Sequence, residues 1–230
     1  MNKVNYCVAI LGSIACIIIL FLTSFKFVLY SDIGFYEKEY TKYGVLEEVK
    51  MDMQDVLYVT QEMMNYLIDK RDNLVVETVV DGQQSEFFNE REKLHMQDVK
   101  NLFMAGLMIR RIAFATLILS ILILIFRKAD LKRIISRAFQ IATLIVGAIT
   151  GVAAFYISRN FIEVFLKFHY LFFDNDYWIL NPKTDLMINI LPEGFFYDTI
   201  KSIGIMFGCL LGILLLITVI LDMVRQRRKQ

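Results

Sequence analysis

The chain has 230 residues, 57% of them hydrophobic, and a formal net charge of +1. With a mean hydropathy of +0.50, it is too apolar for an ordinary water-soluble domain and points to a membrane protein. Its basic residues form short clusters beside apolar runs, which excludes the broad basic face that a nucleic-acid partner needs.

The three cysteines, Cys7, Cys16 and Cys209, all fall inside apolar runs. They read as small hydrophobes in a bilayer, not as a disulfide framework. There is no CxxC, and His95 and His169 are the only histidines. A zinc site would need carboxylates to complete it, so no metal is expected.

Taken in order, the apolar run 4–25 follows Lys3 directly and outlasts a signal-peptide core. It predicts an uncleaved first transmembrane helix, 4–30. A small α+β cap is expected over 31–105. It opens on an acidic, aromatic stretch, 31–51. Residues 52–69 suit an amphipathic helix with Met53, Val56, Leu57, Met63, Met64 and Leu67 on one face. That methionine stripe reads as core in preference to a recognition groove. The β-branched run 74–80 predicts a strand entering an Asp81-Gly82 turn.

Asn89 is placed to cap a helix that opens with Glu90 and Glu92. On that helix His95 lies one turn from Glu92 and Asp98. The apolar run 112–126 is too short to span alone. The second transmembrane helix is therefore placed at 106–126, with Arg110 and Arg111 near the outer interface, snorkelling or turned inward. An unbroken helix over 89–126 and a bend near Gly106 both fit.

Residues 127–137 form a basic loop. The third span, 138–158, carries Gly147 and Gly151, a small-xxx-small packing pattern. An aromatic segment, 159–201, leads to the fourth span, 202–224. There Gly204, Gly208 and Gly212 repeat at the same spacing. A basic tail, 225–230, closes the chain.

Charge sets the orientation. Lys3, the loop 127–137 and the tail are basic, with Asp130 and Asp222 their only nearby acids. By the positive-inside rule both termini are cytoplasmic, and the cap and the aromatic segment lie outside. The expected fold is a polytopic α-helical membrane protein with four transmembrane helices under an extracytoplasmic α+β cap.

This topology brings His95 and His169 to one leaflet boundary. A histidine exchanges protons near neutral pH, which suits general acid–base work. Glu92 or Asp98 is placed to orient His95, and Asp174, Asn175 or Asp176 to orient His169. Simple solvation of those acids is the alternative. Phe168, Tyr170, Phe172, Phe173, Tyr177, Trp178, Phe195 and Phe196 crowd the same segment, with Phe165 and Tyr197. They either sit at the bilayer interface for amphipathic reasons or, with Arg110 and Arg111, wall a substrate pocket. There is no GxSxG, no phosphate loop and no outer-face cysteine. Histidine acid–base catalysis on a lipid or a lipid-linked substrate is the simplest chemistry left.

The motifs HMQDVK (95–100), FH (168–169), DNDYW (174–178), PKTD (182–185) and LPEGFF (191–196) resemble those of the lipoprotein intramolecular transacylase family of low-GC Gram-positive bacteria. The resemblance runs over essentially the whole chain. It implies four membrane helices under an extracellular cap, with His95 and His169 as catalytic residues at the junction. It implies a diacylglyceryl-modified lipoprotein substrate within membrane lipid. The sn-2 acyl chain would move to the α-amino group of the N-terminal cysteine, giving the lyso form. No cofactor, metal or nucleic acid is implied. The role of each histidine stays open. One competing reading is a non-enzymatic membrane scaffold or sensor whose cap binds a peptide or lipid, and another is a different lipid-interface hydrolase or transferase that uses the same histidine pair.

Overall fold

The structure, a computed structural model, describes residues 3–227. Residues 228–230 of the basic tail lie outside the described residues. In chain order the elements are α1 (Lys3–Tyr30), α2 (Gly34–Lys42), α3 (Val45–Val49), α4 (Met53–Leu67), β1 (Glu77–Val80), β2 (Gln83–Glu86), α5 (Glu90–Phe126), α6 (Leu131–Arg159), α7 (Phe161–Phe172), α8 (Leu186–Ile190) and α9 (Glu193–Arg227). Four of them, α1, α5, α6 and α9, are long and apolar enough to cross a membrane.

The chain divides into two compact units. The first comprises 1–25, 107–159 and 202–230, and the second 26–106 and 160–201. Helix α5 runs unbroken through Gly106. At 1.5 Å per residue its 37 residues measure about 55 Å, well beyond the ~30 Å of hydrocarbon a span must cross. The surplus is its polar N-terminal part, 90–105, which belongs to the second unit.

The first unit is held by side chains from facing helices. Ile17 packs with Phe139, Ala142, Phe207 and Leu211, and Ala9 with Leu124, Ile134 and Ala138. The close approach is at Gly12, where an added Cβ would come 2.9 Å from Ser120 Cβ. The glycines expected to pack, Gly147, Gly151, Gly204, Gly208 and Gly212, instead have nothing within 4 Å of an added Cβ. Small residues permit close approach, but flanking side chains choose the partner face. The basic stretch 127–137 is not all loop. Helix α6 begins at Leu131, after Asp130, whose backbone carbonyl accepts from Ile134 and whose Oδ1 accepts from the backbone N–H of Arg133. Asp130 also pairs with Arg225, and Asp222 accepts from Gln140.

The second unit has its core where α2, α3, α4 and the hairpin meet. Tyr36, Tyr40, Val45, Val49, Val56, Val59, Met63, Met64, Val76, Phe87 and Phe88 are buried there. The methionine face of α4 is core at Met63 and Met64 and only half-buried at Met53. Tyr40 and Thr60 share a 2.6 Å hydrogen bond, which satisfies two buried hydroxyls. The acidic stretch 31–51 is helical, as α2 and α3, broken at Gly44 with φ +65°. Strand β1 is shorter than the apolar run 74–80, because its antiparallel partner β2 is only four residues long. Asp81 and Gly82 both have positive φ, the two-residue type I′ geometry that an Asp-Gly pair favours.

Candidate active site

The N-terminus of α5 carries the first half of the site. Asn89 Oδ1 accepts from the backbone N–H of Glu92 at 3.0 Å, and Glu92 Oε2 accepts from the N–H of Asn89 at 2.8 Å. This is a capping box, which satisfies two donors that a helix start leaves bare. The other oxygen of Glu92 accepts from the N–H of Met187, in α8, at 2.6 Å. Asn89 Nδ2 donates to Asp185 at 2.9 Å, and Asp185 also accepts from the Asn181 N–H and the Thr184 hydroxyl. The start of α5 is thus tied to the segment 181–190.

Glu92 is fully buried at 0% exposure. Burial pushes its carboxyl up to about 7, although the N–H groups of Met187 and Asn89 oppose the shift. Burial acts on Asp185 in the same sense. There the hydrogen bonds from Asn181, Asn89 and Thr184 and the charge of Arg91 outweigh it, holding the carboxyl below its ordinary range.

One turn beyond Glu92, His95 is 7% exposed, and His169, from α7, is 8% exposed. Their ring centroids lie 6.1 Å apart, with the planes at 34°. His169 Nδ1 lies 2.8 Å from the carbonyl oxygen of Phe165 one turn back. A carbonyl only accepts, so Nδ1 carries the proton in the neutral ring and Nε2 carries the lone pair. His95 Nδ1 is buried and has no partner among the described residues. Burial lowers the basicity of both imidazoles. For His95 the neighbouring His169 adds to the effect and Asp98 opposes it, and the result is about 4. For His169 the Phe165 carbonyl opposes burial without reversing it. Both rings are neutral at pH 7.

Aromatic side chains surround the pair. Phe173 meets His95 edge-on at 5.2 Å and lies 5.5 Å from His169. Phe165 and Trp178 approach His169 at 4.3 Å and 4.9 Å, and Phe168 at 5.5 Å. Tyr170 packs edge-on against Trp178. The segment 174–178 is strapped to α5, with Asn175 Nδ2 donating to Asp98 at 2.8 Å and Arg91 reaching the carbonyl of Asp176.

Several expectations change. The carboxylate of Glu92 is engaged by two backbone N–H groups, so it does not orient His95. The group hydrogen-bonded to the His169 ring is the Phe165 carbonyl, not Asp174, Asn175 or Asp176. Asp98 reaches Asn175, and Asp176 reaches Arg91. Asp174 is exposed, as are Phe172, Tyr170 and Tyr177. Phe195 is buried against Tyr36, Tyr40 and Phe35 and so belongs to the core. Phe196 touches Phe165. Arg110 and Arg111 lie further along α5, in the first unit, and none of the ring contacts around the histidines involves them. The residues that sequence reasoning missed are Arg91, Asn181 and Asp185. Asp185 stands in the PKTD motif, which was a usable signal. Among the described residues no group of three His, Cys, Asp or Glu side chains is placed to hold a metal.

Fold and site define a polytopic membrane protein with a desolvated histidine pair in an aromatic surround. The sequence model of the lipoprotein intramolecular transacylase Lit family matches residues 10–196, and the chain belongs to that family. Among solved structures it is similar to the membrane-integral transacylase Lit of Bacillus cereus, with 19% identity, full coverage of both chains and a TM-score of 0.75. Two variants of that protein, with one histidine replaced by alanine or by arginine, match at 18% and 19% identity. They cover 99% of this chain and 96% and 95% of theirs, with TM-scores of 0.70 and 0.72. At these identities the likeness speaks for the fold. No curated protein sequence matches.

Proposed function

We propose that this chain moves the sn-2 acyl chain of a diacylglyceryl lipoprotein onto the α-amino group of that lipoprotein's N-terminal cysteine, with His95 and His169 as the catalytic pair. Family membership supports the acyltransferase activity. The observation that carries the residue assignment is the pairing of the two buried imidazoles, 6.1 Å apart.

The free amine attacks the ester carbonyl through an eight-membered ring. Rings of that size close slowly unaided, so holding the two ends together is a main contribution of the protein. His169 Nε2 takes the proton released by the nitrogen as the C–N bond forms. His95, neutral because it is desolvated, donates an N–H to the developing oxyanion. As the C–O bond breaks, His169 returns its proton to the glyceryl oxygen. The cycle gains and loses no proton, needs no acyl-enzyme, and ends at the N-acyl lyso form. By the distribution of basic residues the termini are cytoplasmic and the histidines face the outer side, where lipoproteins are displayed.

The test is expression of the wild type, His95→Ala and His169→Ala in a bacterium that lacks other lipoprotein N-acylation. The N-terminal lipopeptide of one abundant lipoprotein is then read by tandem mass spectrometry. The expected result is migration of one acyl chain to the amine at constant mass with the wild type, and the diacylglyceryl form with either variant. An unchanged lipopeptide with the wild type overturns the activity and favours a binding module. Acyl migration in either variant overturns that histidine's assignment.

A further inference from the structure

The loop that follows His169 returns across its own ring. Asn175 is the pivot. Its side-chain amide donates to Asp98 Oδ2 at 2.8 Å, and its Oδ1 accepts from the Tyr177 N–H at 3.0 Å. Its backbone carbonyl accepts from the Trp178 indole N–H at 2.9 Å. The indole so held lies 4.9 Å from the His169 imidazole, tilted by 34°. A second anchor, Arg91 to Asp176, fixes the same loop to α5. Phe165 contacts His169 as well, at 4.3 Å between ring centroids.

We propose that Asp98 and Asn175 are positioning residues for acyl transfer, and that they act by holding Trp178 over the His169 ring. The inference rests on the proposed histidine catalysis and adds the means by which one imidazole is fixed. The hydrogen bond to Phe165 leaves the ring free to rock about its Nδ1–O axis, and a flat aromatic wall removes that freedom. The wall also keeps water from the face of the ring, and its π cloud favours the imidazolium that forms when the amine gives up its proton. Asp98 lies one turn from His95 on the same face of α5. The strap therefore sets both histidines from one helix.

Trp178 is the only tryptophan in the chain, so intrinsic fluorescence reports on this contact whether or not the protein is active. The experiment measures emission maximum, anisotropy and acrylamide quenching of the purified full chain in detergent. It also measures kcat and KM for transacylation of a diacylglyceryl lipopeptide. The proteins are the wild type, Asp98→Ala, Asn175→Ala and Asp98→Asn. The alanine variants are expected to red-shift the emission, lower the anisotropy and at least double the quenching constant. They are expected to reduce kcat about tenfold with KM within twofold, because ring placement is used in the transition state. Asp98→Asn retains an acceptor for the Asn175 amide and is expected to recover most of both losses. Unchanged fluorescence in both alanine variants overturns the proposal, as does a looser Trp178 with unaltered kcat. A wild type without transacylase activity but with the expected fluorescence pattern overturns the catalytic reading and leaves the strap in place.

Discussion

His95 and His169 face each other at 6.1 Å from two different helices, each buried to within 8% of full burial. Neither imidazole is hydrogen-bonded to a carboxylate among the described residues. The Phe165 carbonyl accepts a hydrogen bond from Nδ1 of His169. In the proposed mechanism such a pair serves as neutral base and neutral donor, and the rate would then depend on pH differently from that of a carboxylate-backed histidine.

Rate should therefore rise with pH across the neutral range. Below its ordinary value of 6.5, His169 stays neutral longer than a free histidine, because burial disfavours its cation. The substrate amine has a pKa of about 7.7–8.0 and must lose its proton to attack. A plot of kcat/KM against pH is expected to climb with unit slope to about pH 8 and to steepen only below 6.5. An optimum near pH 5 that falls toward neutrality would mean that a charged imidazole is required, against this assignment.

Glu92 predicts a stability effect of particular sign. Its carboxyl rises from 4.5 to about 7 on folding. The folded state thus holds more protons than the unfolded state between those values, and stability falls as pH rises through that window. Glu92→Gln removes this titration together with one acceptor. Its deficit in thermal midpoint should be greatest below about pH 4.5 and shrink as pH approaches 7. A deficit that grows with pH would show Glu92 to be ionised and stabilising.

Asn89→Ala removes the cap acceptor for the Glu92 N–H and the donor to Asp185. Loss of such a cap costs about 1 kcal/mol. Because α5 also carries His95, the midpoint should drop by a few degrees and activity should fall with it. Asn89→Ser, which keeps a cap oxygen but cannot reach Asp185, should restore most of the stability. Equal losses in both variants would place the effect in the Asp185 bond alone.

Glycines of α9 should respond oppositely to alanine. At Gly194 an added Cβ would lie 2.3 Å from the Tyr43 ring, whose hydroxyl is held by Asp198 at 2.6 Å. Gly194→Ala is expected to destabilise by about 1–3 kcal/mol, as overpacking does. At Gly204 nothing lies within 4 Å, and Gly204→Ala should be neutral or stabilise by up to about 1 kcal/mol. Thermal unfolding of both variants in one detergent checks the contrast.

Much of this architecture follows from local pattern. Twenty or so apolar residues must become a helix in hydrocarbon, since no water is there to satisfy the backbone. The four spans are therefore legible as composition. Asn89 with Glu92 three residues on, and Asp81 with Gly82, are short-range signals whose partners lie within four residues. These features are legible from local pattern alone, together with the family likeness carried by the motifs.

Which distant groups meet is set only by packing of the folded chain. Nothing in the neighbourhood of Glu92 announces Met187, and Asn175 has several acids from which to choose before packing brings Asp98 to it. Phe195 and Trp178 look alike in an aromatic segment, yet one fills the core beside Tyr36 and the other lies over His169. Hydrophobic burial is non-directional, so an aromatic run states that something will be covered and not by what. A hydrogen bond requires its partner within about 3 Å at a narrow angle, and only the folded chain sets that position.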